Sequence, residues 1–284
     1  MGVPEGAVVV GVDSGPVSLE AVDWAVLEAV HRAAPLYLLH ATGADAGPWA
    51  LPASPSGMRA RGRTLLRRAV GRVGAARREV PVPVDVDVDD RPPGPALRAA
   101  SARACLVVVG AVGHGWVHDM TVGSVSLELC YRADSDVVVV RRQEDPGARR
   151  VVVGVDGSDG GDRALVFAAG IATRRSAPLT VLHCWTAHRP SDLAVAAADV
   201  GTGAESHERL LRAVVDRCVP PSAVQPDRQL AAVRPGSALV EASRHAALLV
   251  VGARGTGGVA GLHLGSVVRS VLRDARCPVA VVRR

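Results

Sequence analysis

The segment VVVGVDSG at Val8–Gly15 returns as VVVGVDGS at Val151–Ser158, and this return limits the fold more than any other feature. Asp13 and Asp156 stand 143 residues apart, as do APLYLLHA at Ala34–Ala41 and APLTVLHC at Ala177–Cys184. Later landmarks keep an offset of 142: Gly94 with Gly236, Gly110 with Gly252, Gly123 with Gly265, and Val137 with Val279. The offset changes by one residue between the second strand and Gly94, in the variable middle of each half. A period this long means a duplicated domain rather than a solenoid, whose repeats run to roughly 20–50 residues. The length of 284 residues suits two such domains. RRQEDPGARR at Arg141–Arg150 is charged, carries Pro146 and Gly147, and reads as the linker. Domains are therefore expected over 1–145 and 146–284.

Within each half, strand and helix patterns alternate. In the first, Val8–Val12 is a short β-branched apolar run suited to a buried parallel strand. Val22, Val26, Ala29, Val30 and Ala33 then recur at helical spacing. Leu36–His40 is the second strand, and an arginine-rich helix follows over Met58–Arg78. Val82–Val88 alternates with Asp85 and Asp87 and reads as an edge strand. Pro95–Arg103 is expected as helix, Leu106–Val109 as strand, Ser124–Arg132 as helix and Val137–Val140 as strand. The order βαβαβαβαβ predicts an α/β fold of two tandem, doubly wound, five-stranded parallel sheets. Ligands of such sheets bind beyond the carboxyl ends of the strands, at the switch point.

A glycine signature falls at that end in both copies. Gly110, Gly113, Gly123 and Ser124 fit G-x2-G-x9-G-[ST], and so do Gly252, Gly255, Gly265 and Ser266. Each follows an apolar run. A strand that ends in glycines and leads into a small-residue helix start can turn backbone N–H groups toward an anion. Glycine is expected there because it tolerates positive φ and lets the backbone approach a ligand. Asp13 and Asp156 lie at strand ends facing the same crevice, where a carboxylate can accept from a ribose hydroxyl or a base.

Composition excludes several alternatives. The net charge is +5, yet the chain contains no lysine. A Walker A loop, which needs its Lys on the phosphates, is therefore excluded, and so is Schiff-base chemistry. Arg61, Arg63, Arg67, Arg68, Arg72, Arg77 and Arg78 form a basic run without aromatic interleaving. It reads as a solvated helix face rather than a nucleic-acid platform. The cysteines, Cys105, Cys130, Cys184, Cys218 and Cys277, include no C-x2-C pair and are expected as buried free thiols in a reducing compartment. No charged leader precedes the first strand, and no apolar run approaches the ~20 residues of a membrane helix. The expected location is cytoplasmic, with no membrane partner.

These residues resemble the universal stress protein family, specifically its tandem-domain, ATP-binding branch. The resemblance rests on V-G-V-D, the glycine signature and the closing strands DVVVV and CPVAVV, and covers nearly the whole chain. It implies sheets of order 3-2-1-4-5, each an adenine-nucleotide alpha-hydrolase-like sandwich. It implies that Asp13 and Asp156 contact adenosine, that Ala41 and Cys184 flank the base, and that Val109 and Val251 line the pocket. Gly110, Gly113, Gly123 and Ser124 would hold ribose and phosphates in the first half, and Gly252, Gly255, Gly265 and Ser266 in the second. Val125 and Val267 would complete the helix starts. The implied cofactor is ATP, with or without Mg2+, and the implied role is a nucleotide-dependent regulator in stress or dormancy. The implied assembly is an intramolecular pseudo-dimer of the halves, with or without a further homodimer. No catalytic residue and no metal ligand is assigned. A weak ATPase and a nucleotide-free scaffold of the same fold are the alternatives.

Blander readings compete at particular positions. Asp13 and Asp156 can serve as turn or N-cap residues beside Ser14 and Ser158. GTGGVA at Gly255–Ala260 mimics a dinucleotide fingerprint but follows the wrong strand for one. His114 and His118 stand at metal-like spacing with no evident third ligand. His40 and His183 end equivalent strands and are expected to pack or hydrogen-bond. Arg254 adds charge to the second signature where the first has Val112, and the bulky Trp116 and His118 follow in the first, so the two sites are expected to differ in affinity.

Overall fold

Short β-branched runs and small-residue helices alternate in the computed structural model as the patterning predicts. It describes residues 2–43, 54–76, 82–111, 122–185, 200–255 and 264–283. The chain divides into two units, Met1–Arg142 and Gln143–Arg283.

In the first unit, β1 (Ala7–Gly11), β2 (Leu36–Ala41), β3 (Val84–Asp89), β4 (Ala104–Gly110) and β5 (Asp136–Val140) lie in the order β3-β2-β1-β4-β5. Every pairing is parallel. Helices α1 (Ser18–Arg32), α2 (Pro55–Ala76), α3 (Pro93–Ser101) and α4 (Ser124–Arg132) make the connections. The central strands are continuous apolar runs because helices cover both their faces. Val8, Val9, Val10, Leu106, Val107 and Val108 are fully buried.

The second unit repeats the plan. Its strands β6 (Val151–Val155), β7 (Leu179–Cys184), β8 (Asp227–Ala231), β9 (Leu248–Gly252) and β10 (Val279–Val282) run in the order β10-β9-β6-β7-β8. They pair in parallel. Its helices are α5 (Asp159–Arg174), α6 (Val200–Cys218), α7 (Pro235–Ala242) and α8 (Ser266–Asp274). The order 3-2-1-4-5 therefore holds in both halves.

The V-G-V-D glycine has a packing role. A Cβ on Gly11 would stand 3.0 Å from Leu97 Cδ1, and one on Gly154 would stand 2.9 Å from Leu239 Cδ1. The missing side chain seats the leucine of α3, or of α7, against the first strand. A non-glycine residue in the left-handed region follows both first helices, Ala33 at φ 50° as the C-cap of α1 and Ser176 at φ 47° one residue beyond the C-cap of α5. In α1 the N–H of Ala33 reaches back to the carbonyls of Ala29 and Val30, closing the last turn. Among the described residues, no helix is long and apolar enough to cross a membrane.

Candidate nucleotide cradle

The sheet order reverses between β1 and β4, and again between β6 and β9, so a crevice opens at the carboxyl ends of those pairs. The register Val10↔Val108 places Asp13 one step beyond Gly110 across the gap. The register Val153↔Val250 places Asp156 between Gly252 and Gly255 in the same way. Ala41 and Cys184 close the second strands beside them, half-buried. Val109 and Val251 sit just before the first signature glycine and are 4% and 3% exposed.

Identical backbone bonds pinch the neck of each glycine loop. Ala111 N–H donates to Val140 O at 2.7 Å, and Gly123 N–H donates to Ala111 O at 2.6 Å. Ala253 N–H donates to Val282 O at 2.8 Å, and Gly265 N–H donates to Ala253 O at 3.1 Å. The signature's last glycine is thus brought back beside the strand that starts it. In the first half, Ser126 Oγ also donates to Gly110 O at 2.8 Å.

Gly123 and Gly265 are the N-caps of α4 and α8, and neither supplies a side-chain cap. The first N–H groups of a helix have no partner within the helix. Among the described residues no side chain caps them, and the dipole's positive end there favours negative charge. Ser124 and Ser266 follow as exposed hydroxyls, and Val125 and Val267 as half-buried residues of the first turn. Gly113, His114, Trp116, His118 and most of GTGGVA lie outside the described residues.

Close approach, rather than unusual φ, is what Gly252 and Gly255 provide. Among the described residues, positive φ occurs at glycine only at Gly6 and Gly157. A Cβ on Gly255 would collide with Asp156 Oδ2, and one on Gly252 with the carbonyl of Gly160. The loop after β9 is thereby laid against both the carboxylate and the start of α5. Gly157, at φ +79°, makes the tight turn that returns the chain to α5.

Both aspartates do serve their turns. Asp13 Oδ1 accepts from Gly15 N–H at 2.8 Å, and the Asp13 N–H donates to Ser18 Oγ at 2.9 Å. Asp156 Oδ1 accepts from Ser158 N–H at 3.1 Å and from Ser158 Oγ–H at 2.6 Å. Ser158 Oγ in turn caps α5 by accepting from Gly161 N–H at 3.1 Å. The turn holds one carboxylate oxygen of Asp156 while the other stands at Gly255.

The strand-end histidines hydrogen-bond as expected. His40 Nδ1 lies 2.7 Å from Val12 O, and His183 Nδ1 lies 2.8 Å from Val155 O. Sequence reasoning missed what stands opposite. In the second half, His183 Nε2 bonds His207 Nδ1 at 2.8 Å, and His207 stacks on Trp185. Burial first, then His183, pushes His207 below its usual value. In the first half, Gly62 of α2 packs on the His40 ring. Sequence reasoning also missed Gly160 and Gly161, although the run DGGD at Asp159–Asp162 was their signal.

The cysteines are less buried than expected. Cys130 and Cys277 are buried, whereas Cys105, Cys184 and Cys218 are half-buried, and all five are free. Burial pushes the Cys184 thiol up to about 11, which suits a pocket wall better than a nucleophile.

Comparison with known proteins agrees with this geometry. The universal stress protein family model matches residues 6–141 and again 147–283. A universal stress protein of Mycobacterium tuberculosis is 32% identical over 289 residues, spanning 97% of this chain and 96% of its own. Another from Mycobacterium bovis is 32% identical over 293 residues, spanning 98% of this chain and 97% of its own. The crystal structure of a universal stress protein from Archaeoglobus fulgidus has the same fold, with a TM-score of 0.71 at 18% identity, covering 100% of this chain and 98% of that one. Two sheets of the same order, two pinched glycine loops and two whole-domain matches make this chain a member of the universal stress protein family, with two family domains in tandem.

Proposed function

We propose that each half binds ATP at its switch-point crevice, and that the protein is a nucleotide-dependent regulator in stress or dormancy rather than a catalyst. The observation that carries this reading is Asp156 Oδ2 lying where a Cβ on Gly255 would be, next to the uncapped start of α8. That contact joins a carboxylate for the nucleoside to main-chain donors for the phosphates within one crevice. In the second half Asp156 takes the adenosine, Cys184 and Val251 flank the base, and Gly252, Gly255, Gly265, Ser266 and Val267 hold ribose and phosphates. Asp13, Ala41, Val109, Gly110, Gly113, Gly123, Ser124 and Val125 do the same in the first half. Mg2+ accompanies the phosphates as part of the nucleotide rather than on protein ligands. The domains run 1–145 and 146–284 and work as an intramolecular pseudo-dimer.

Calorimetric titration of the full chain with ATP, with and without Mg2+, tests the reading and should return two sites. No heat and no nucleotide released on denaturing the purified protein would leave a nucleotide-free scaffold. Single-turnover phosphate release near the enzyme median of roughly 10 per second would instead make it an ATPase.

A further inference from the structure

We infer that the edge of β3, unpaired on its outer side among the described residues, and the arginine flank of α2 form a docking groove for an extended acidic segment of a partner protein, which joins the sheet as an added strand. β3 ends the strand order of its unit. Leu36 N–H donates to Pro83 O at 2.8 Å, and Thr42 N–H donates to Asp89 O at 2.7 Å. With β2 and β3 in parallel register, Asp85, Asp87 and Asp89 spend their backbone groups on β2. The N–H and C=O of Val84, Val86 and Val88 therefore point outward, a row of main-chain groups ready to pair with another strand.

Two of these valines, Val86 and Val88, line a groove of about 730 Å³ beside α2, with Asp87 between them. Val86 and Val70, which face each other across it, are 49% and 42% exposed, so apolar surface is left for a guest to cover. Arg59, Arg63 and Arg67, one helical turn apart along α2, line its upper side. Arg59 pairs with Asp90, but among the described residues neither Arg63 nor Arg67 has a carboxylate partner. The guest's α2-facing side chains should thus be acidic or apolar.

The second half shows what a guarded edge looks like. There Pro226 and Arg228 stand where the first half has Val84 and Val86, and Asp227 pairs with Arg150 at 3.6 Å. Proline and charge are the ordinary means of blunting an edge strand. The first half lacks both on its α2 side. A second copy of this chain is a poor guest. Antiparallel pairing of two β3 strands centred on their outward Val86 would set Asp85 of each opposite Asp87 of the other, and like charges placed opposite are destabilising. A guest with uncharged residues on that face avoids the clash.

A labelled octapeptide alternating Glu or Val with Thr, titrated into the full chain by fluorescence anisotropy, tests the inference. Val86→Pro removes one outward N–H without touching the β2 ladder, so the fold should survive. Binding should fall about tenfold or more in Val86→Pro and in the double variant Arg63→Glu/Arg67→Glu, roughly the loss of a hydrogen bond or a charge pair. Hydrogen exchange should show the amides of Val84, Val86 and Val88 protected only with peptide present. No binding by the wild-type chain would overturn the inference. So would equal binding of a scrambled peptide of the same composition. So would capture of inorganic polyphosphate or single-stranded oligonucleotide in place of peptide with Val86→Pro having no effect, since that would make the arginines a simple anion surface.

Discussion

The two halves repeat one sheet plan around different interiors. Glu28 of α1 is fully buried and binds Arg32 Nε at 2.6 Å, whereas Ile171 occupies the equivalent place in α5. Gly62 covers the strand-end histidine in the first half, and His207 meets it in the second. Val86 lies open on one edge and Arg228 guards the other. The glycine-loop necks, by contrast, match bond for bond. Duplication left the crevice alike and let the surroundings drift, because a pocket can tolerate several supports but a main-chain cradle depends on where the backbone runs.

The buried pair is the sharpest place to break this comparison. Arg32→Ala should destabilise the first half by about 3–5 kcal/mol, because it removes the paired guanidinium from a fully buried carboxylate. Glu28→Ile, which copies the second half, should be near neutral or stabilising, since an apolar side chain then needs no partner. Chemical denaturation monitored by circular dichroism separates the two, and equal losses would mean the pair is not what differs.

Gly255→Val comes next. The new side chain displaces the Asp156 carboxylate, at a cost of about 1.5–3 kcal/mol for a charge-assisted bond, or roughly 10- to 150-fold in affinity. Calorimetry should then count one ATP site rather than two, the first half being untouched. Two unchanged sites would break the assignment of the crevice.

Ser158→Ala removes the α5 cap and the tether on Asp156 together. It should cost the second half about 1 kcal/mol in stability and weaken its nucleotide site. The effect is read as a shift in denaturation midpoint and in affinity. The first half, where Ser18 accepts from Asp13 N–H instead, is the internal control.

The smallest effect is on acid response. His207 is held below its usual 6.5 by burial and by His183. The unfolded chain therefore takes up the proton first. The stabilising contribution of the neutral ring is present above about 6.5 and is lost as pH falls through the lower folded value. His207→Gln should flatten the dependence of thermal midpoint on pH below that point. An unchanged slope would show that the histidine pair does not set it.

Much of the frame could be read in advance. The apolar runs located the strands to within one or two residues, and Ser124–Arg132 was placed to the residue. The glycine signature was placed for a partly mistaken reason, since Gly252 and Gly255 use close approach rather than positive φ. The Gly11 and Gly154 packing role was hidden because Leu97 and Leu239 lie far away in sequence. His207 was hidden because it stands in the variable middle, where the offset between halves changes.

Periodicity and repetition alone determined the duplicated α/β frame and the end of each sheet where a ligand can sit, whereas the strand order came from the family resemblance. Those follow from local apolar patterning and from the few ways that parallel strands can be connected. Only the tertiary structure decided which oxygen of Asp156 meets Gly255, which helix residue covers each histidine, and which sheet edge stays open. These depend on where distant backbone segments come to rest, and the pattern of a single segment does not encode that distance.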